Sequence, residues 1–130
     1  MSNYKERKLR LKEIRNKLLR FHKVLLDWDR ANYEEEFGVL TSGKFLEMLL
    51  SDERFAWLRT ISTLIVKIDE SFELDDGMSD EMLDGFYEET SNLFDDSDEY
   101  QDFKKRTAEA LLRLLEGREL RIEIEGLLNK

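Results

Sequence analysis

Cysteine is absent from this 130-residue chain, proline is absent as well, and histidine occurs once. Without cysteine there is no disulfide framework, no thiolate zinc site and no cysteine nucleophile. Without proline the chain lacks its sharpest helix breaker, so long helices can run uninterrupted. Six glycines are then left to mark most of the boundaries. Apolar runs such as Leu64-Ile65-Val66 fall far short of the roughly 20 residues that span a bilayer. The opening Met1-Ser2-Asn3-Tyr4-Lys5 lacks the apolar stretch of a secretory leader, so the cytoplasm is the expected compartment.

What the chain does have is 41% hydrophobic residues interleaved with 39% charged ones, enough apolar surface for a single domain over residues 1–130. Leu11, Ile14, Leu18, Phe21, Leu25 and Trp28 step by three and four, the spacing of a helical seam. Leu19, Val24 and Leu26 widen it, and the pattern predicts one long helix over about 3–37. Gly38 follows as a left-handed cap, with Val39 placed for the accompanying apolar contact. Thr41 or Ser42 is expected to cap a short helix carrying Phe45, Leu46, Leu49 and Leu50. Ser51 or Asp52 caps the next, which runs to Phe72 with Leu58, Ile61, Ile65 and Ile68 on one face. Asp75-Asp76-Gly77 reads as a turn. Ser79 then caps a helix carrying Met82, Leu83, Phe86, Thr90 and Leu93. Ser97 or Asp98 is expected to start a further helix through Phe103, Thr107, Ala110, Leu111, Leu114 and Leu115.

Beyond Gly117 two readings stay open. Leu120, Ile122 and Ile124 alternate as in a strand, while Leu120, Ile124, Leu127 and Leu128 share a helical face. A lone strand has nothing to pair with, which favours helix over 117–130. The fold class is therefore all-α, an antiparallel bundle of four main helices with short additional ones. At 1.5 Å per residue the first helix is about 50 Å long, well beyond the reach of the helix that ends at Phe72. The excess needs a cover: the carboxy-terminal segment, a second copy of the chain, or another partner.

Charge is the least ordinary feature. The net charge is −9, yet residues 1–23 hold nine Lys or Arg against Glu6 and Glu13, a balance of +7. Residues 69–102 hold fifteen Asp or Glu and no basic residue, a balance of −15. One reading lays the basic helix along the acidic stretch within the fold, where exposed pairs contribute at most about 1 kcal/mol each. The other turns one or both faces to a partner, with Lys8, Lys12 and Arg15 as candidate contact residues. Nucleic acid and membrane surfaces fit poorly, because the basic residues encircle the helix and the overall charge repels phosphate.

No chemical site assembles at the spacing it requires. Carboxylate-bridged metal centres need Glu-x-x-His, but the residue three before His22 is Leu19. The run from Asp80 through Gly85 imitates a calcium loop, yet Met82 and Ser91 occupy ligand positions. Neither a nucleophile elbow nor a phosphate loop is present, so no catalytic residue, metal ligand or cofactor is expected. Arg54-Phe55-Ala56-Trp57-Leu58-Arg59 is rich in aromatic and arginine side chains. Trp57 either packs on the first helix, against Trp28, or stands with Arg54 and Arg59 as an exposed anchor of the kind interfaces prefer.

The segments Leu26-Asp27-Trp28-Asp29-Arg30, Ser42-Gly43-Lys44-Phe45-Leu46 and Asp52-Glu53-Arg54-Phe55-Ala56-Trp57-Leu58-Arg59, spread over about residues 25–70, resemble a group of small bacterial all-helical proteins of unassigned function. The resemblance implies a bacterial cytoplasmic protein and brings no ligand or catalytic residue with it. The leading expectation is a non-enzymatic protein-interaction or regulatory module, self-associating through the long first helix. An electrostatic binder of basic proteins or anionic surfaces comes second, and a carboxylate-based enzyme third.

Overall fold

The structure is a computed structural model that describes residues 4–130. Six α-helices follow in order: α1 Tyr4–Phe37, α2 Ser42–Ser51, α3 Ala56–Phe72, α4 Asp80–Asn92, α5 Gln101–Leu111 and α6 Leu115–Leu128. A 3₁₀ turn, Glu53–Phe55, joins α2 to α3. The long helices α1, α3, α4 and α6 form the bundle. α3 runs antiparallel to α1, as Arg15 meets Asp69 and Asp29 meets Trp57. α6 is antiparallel too, with Arg20 beside Glu116, Lys17 beside Glu123 and Arg10 beside the Lys130 carbonyl. The fourth long member is thus the carboxy-terminal segment, and the strand reading of 117–130 falls to the helical one. α5 bridges one end of the bundle, its Phe103 ring 6.2 Å from Trp57.

The apolar spacing of α1 explains its burial. Leu11, Ile14, Leu18, Phe21 and Leu25 are fully buried, each stabilising the fold by about 1.5–3 kcal/mol relative to exposure. Their neighbours come from within the chain, so the self-associating seam expected on α1 is already filled. α6 is the main cover for its length. The seam drifts at its far end, where Asp29 is buried and Trp28 is only half-buried. A 3.6-residue helix rotates away from a strict heptad, which moves the buried position from 28 to 29. Asn3, expected in this helix, lies outside the described residues.

Gly38 ends α1 with φ +98°, and its N–H donates to the Glu34 carbonyl at 2.9 Å, the left-handed cap expected there. The accompanying contact is different: Val39 is 90% exposed and Leu40 turns inward instead. Two α1 side chains hold Leu40 in place, the Glu34 carboxylate accepting its N–H at 2.6 Å and Arg30 donating to its carbonyl at 3.1 Å. Thr41, Asp52 and Ser79 cap α2, the 3₁₀ turn and α4 with side-chain oxygens.

Two boundary expectations are corrected. α5 begins at Gln101, three residues after Asp98, because the Lys104 ammonium reaches back to Ser97 and Asp95 and holds that stretch out of the helix. Lys104 donates to the Ser97 carbonyl at 2.8 Å, while Asp95 accepts from the Ser97 N–H. The segment leaves Tyr100 at φ 56°, a conformation rarely adopted by a bulky residue. Of the six glycines only Gly38 and Gly77 mark turns with positive φ; Gly43, Gly85, Gly117 and Gly126 lie inside helices. At Gly117 the reason is steric: a Cβ there would sit 2.6 Å from Leu111 Cδ2. The absent side chain is what lets the start of α6 close on α5 and on Val24.

Candidate functional site

Two of the residue groups singled out by sequence resolve into internal ties. Trp57 is 2% exposed, so it packs inside and is not an anchor for a partner. Its Nε1–H donates to Asp29 Oδ2 at 3.0 Å, and its ring lies against Phe103, not Trp28. Arg54 donates to Asp29 Oδ1 at 3.3 Å and stands over the Tyr33 ring. A buried carboxylate needs such donors, since an unpaired buried charge is strongly unfavourable. Arg59 donates to the carbonyls of Leu49 and Asp52 at 2.9 and 3.1 Å, satisfying the open end of α2. These three residues fasten α2 and the turn to α1 and α3.

The second group, Lys8, Lys12 and Arg15, gathers along the α1–α3 groove. Arg15 makes a two-pronged contact with Asp69 at 2.7 and 2.8 Å, and that bond raises its affinity for its proton. Lys8 lies 5.8 Å from the centre of the Phe72 ring. Lys12 enters no ion pair among the described residues and borders a recess with Asn16 and Glu73. The basic helix therefore answers the acidic stretch only in part, through Arg7–Asp84 and Arg15–Asp69. The other ion pairs made by its basic residues, among the described residues, go to α6, through Lys17 and Arg20, or stay within α1, as Lys23–Asp27. Of the fifteen carboxylates in 69–102, five (Asp69, Asp84, Glu89, Asp95 and Asp102) enter ion pairs. The other ten enter none among the described residues, which leaves a strongly negative rim around the α3–α4 turn and the 94–100 segment.

His22, on α1, is half-buried with its Nε2 shielded and unpartnered, and burial pushes its pKa below the ordinary value of 6.5. Among the described residues no three His, Asp or Glu side chains are placed to hold a metal ion. No helix among them is long and apolar enough to cross a membrane.

An apolar groove lies elsewhere, between α5 and α6. Ala108, Leu111 and Leu112 on one wall face Ile122 on the other, with Arg118, Arg121 and Glu125 along the rim, around a groove of about 480 Å³. Leu112 is 81% exposed and Ile122 71%. The rim is already satisfied within the chain: Arg118 donates to the Leu111 carbonyl, and Arg121 to Glu125 and to the Phe94 carbonyl. No nucleophile faces the groove, so its chemistry is that of an apolar receptor with a polar edge.

Sequence reasoning missed this groove, although one signal pointed to it. Ile122 fitted the strand-like alternation and not the helical face of Leu120, Ile124 and Leu127. Once the segment is helical, Ile122 has to point away from the core. No protein-family model matches the chain, and neither a curated protein nor a solved structure matches it.

Proposed function

We propose that the protein is a non-enzymatic interaction module that receives an apolar segment of a partner protein in the α5–α6 groove. The observation behind this reading is the exposure of Leu112 and Ile122 on facing walls of one concave surface. Scattered surface leucines need no explanation, whereas apolar side chains grouped in a groove with a polar rim are the usual composition of a docking surface. The setting we assign, a bacterial cytoplasm, rests on the resemblance of residues 25–70 alone.

A photoreactive benzophenone residue placed at Leu112 tests the reading inside cells that make the protein. A discrete crosslinked species is expected, and it should vanish when Ile122→Glu is added. Absence of any adduct, or an adduct indifferent to Ile122→Glu, would overturn it.

A second reading is supported by the unpaired carboxylates of 69–102: an electrostatic surface for a basic protein. It predicts association that weakens steeply as salt is raised, because exposed charges are screened within about 10 Å at 0.1 M. Groove binding, driven by apolar burial, should persist at the same salt.

A further inference from the structure

α3 and α4 part on their solvent side around a recess of about 280 Å³. Lys67, Glu70, Ser71 and Leu74 line it from α3 and the turn that follows, and Met82 and Phe86 from α4. Its surface is mainly apolar, with Leu74 47% exposed and Met82 half-buried. Two of its polar groups are satisfied within the chain: Lys67 donates to Glu89 at 2.6 Å, and the Ser71 hydroxyl to the Lys67 carbonyl. Glu70 is the exception, since it enters no ion pair among the described residues.

Charge says what covers this recess. Asp75 and Asp76 follow Leu74 along the chain, Asp80 and Glu81 precede Met82, and none of the four enters an ion pair among the described residues. Asp80 and Glu81 suit the first turn of α4, where the helix dipole favours an anion. Glu70 stands in the last turn of α3, where the same dipole disfavours one. No basic residue occurs between 69 and 102, and Lys67, the cation on the wall, is neutralised by Glu89. The repulsion among these carboxylates is relieved only by positive charge from outside.

We propose that the α3–α4 recess docks a basic segment of a partner protein, which inserts one large apolar side chain from among its lysines or arginines. This rests on the reading of the 69–102 carboxylates as a surface for a basic protein and adds where that protein is held. Nucleic-acid and lipid phosphates are repelled by the same carboxylates, and a second copy brings a further net charge of −9. A small cation has no use for the apolar walls. A basic segment with an apolar anchor uses both: its charge steers the encounter, and burial of the anchor against Leu74, Met82 and Phe86 slows its release.

Fluorescence anisotropy of the full chain with two labelled peptides tests this. One is a short lysine–serine peptide with a single central phenylalanine, and its twin carries serine in that place. At low salt both should bind, the phenylalanine peptide at least about tenfold tighter. Leu74→Ser changes an exposed side chain, so circular dichroism should not change. It should remove most of the phenylalanine advantage and leave the affinity of the serine peptide as it was. Glu70→Gln should weaken both peptides without lowering the thermal midpoint, because it withdraws an anion from the end of α3. Equal affinity for the two peptides, or an advantage that Leu74→Ser leaves intact, overturns the proposal while the electrostatic surface stands. Failure of both peptides to bind overturns that surface as well. Growth in mass of the chain alone under light scattering, lost in Leu74→Ser, would assign the recess to a second copy and overturn the proposal too.

Discussion

The Trp57 indole N–H donates to Asp29 Oδ2 at 3.0 Å across 28 positions of sequence, joining α1 to α3 at the one buried carboxylate among the described residues. Arg54 neutralises that carboxylate from its other side. Around this point the short elements converge: the 3₁₀ turn carries Arg54, α5 supplies Phe103 beneath the indole, and Arg59 closes α2. What looks in sequence like an aromatic–arginine anchor for a partner is the anchor of the fold itself.

Removing either end of this bond should be destabilising beyond its packing. Trp57→Phe keeps a ring but withdraws the donor, and a loss of about 1–3 kcal/mol is expected from the under-satisfied carboxylate. Asp29→Ala should lose at least as much. Urea unfolding of both single variants and the double variant checks the coupling, which should be about 0.5–3 kcal/mol if the two residues act as a pair.

The glycines inside helices predict substitutions of opposite sign. Gly85 and Gly126 have open space where a Cβ would stand, so Gly→Ala there should stabilise by about 0.5–1 kcal/mol through helix propensity. Gly117→Ala places a methyl 2.6 Å from Leu111 Cδ2 and should lose about 1–3 kcal/mol through overpacking. Thermal unfolding of the three variants distinguishes these outcomes directly.

His22 gives the pH dependence a definite sign. Burial holds its pKa below 6.5 in the folded chain, so near neutrality and just below it the unfolded chain binds the extra proton. Stability should therefore decline as pH falls through 6.5, until the folded-state pKa is passed. His22 is the chain's only histidine. His22→Gln should accordingly flatten the urea-midpoint profile between about pH 7.5 and pH 5.5. A wild-type profile already flat over that range would contradict the assignment.

The Arg15–Asp69 pair joins the basic and acidic halves at a half-exposed position. Asp69→Asn should reduce stability by at most about 1 kcal/mol, and the difference from wild type should shrink as salt is added. The modest size follows from solvent screening, despite the good two-pronged geometry.

The apolar spacing makes α1, α3 and α4 legible in the sequence, because Leu, Ile and Phe at three- and four-residue steps leave little choice of face. Capping by Thr41, Asp52 and Ser79 is legible for the same local reason. The late start of α5 is not, since it depends on Lys104 reaching back to Ser97 and Asp95. Gly117 misleads as a boundary because its role, admitting Leu111, is set by tertiary packing. The burial of Trp57 turns on a single long-range acceptor, Asp29, which local pattern cannot supply. The groove lies beyond reach while Ile122 can still belong to a strand.

Methyl NMR of the wild-type chain, recorded alone and in a lysate of the cells that make it, tests the central claim most directly, because exposed methyl groups over the whole surface are observed at once. Signals of Leu112 and Ile122 are expected to shift or broaden in the lysate, while the similarly exposed Leu9 and Val66 stay in place. Invariance of the groove signals, or movement of Leu9 and Val66 with the groove silent, would contradict it.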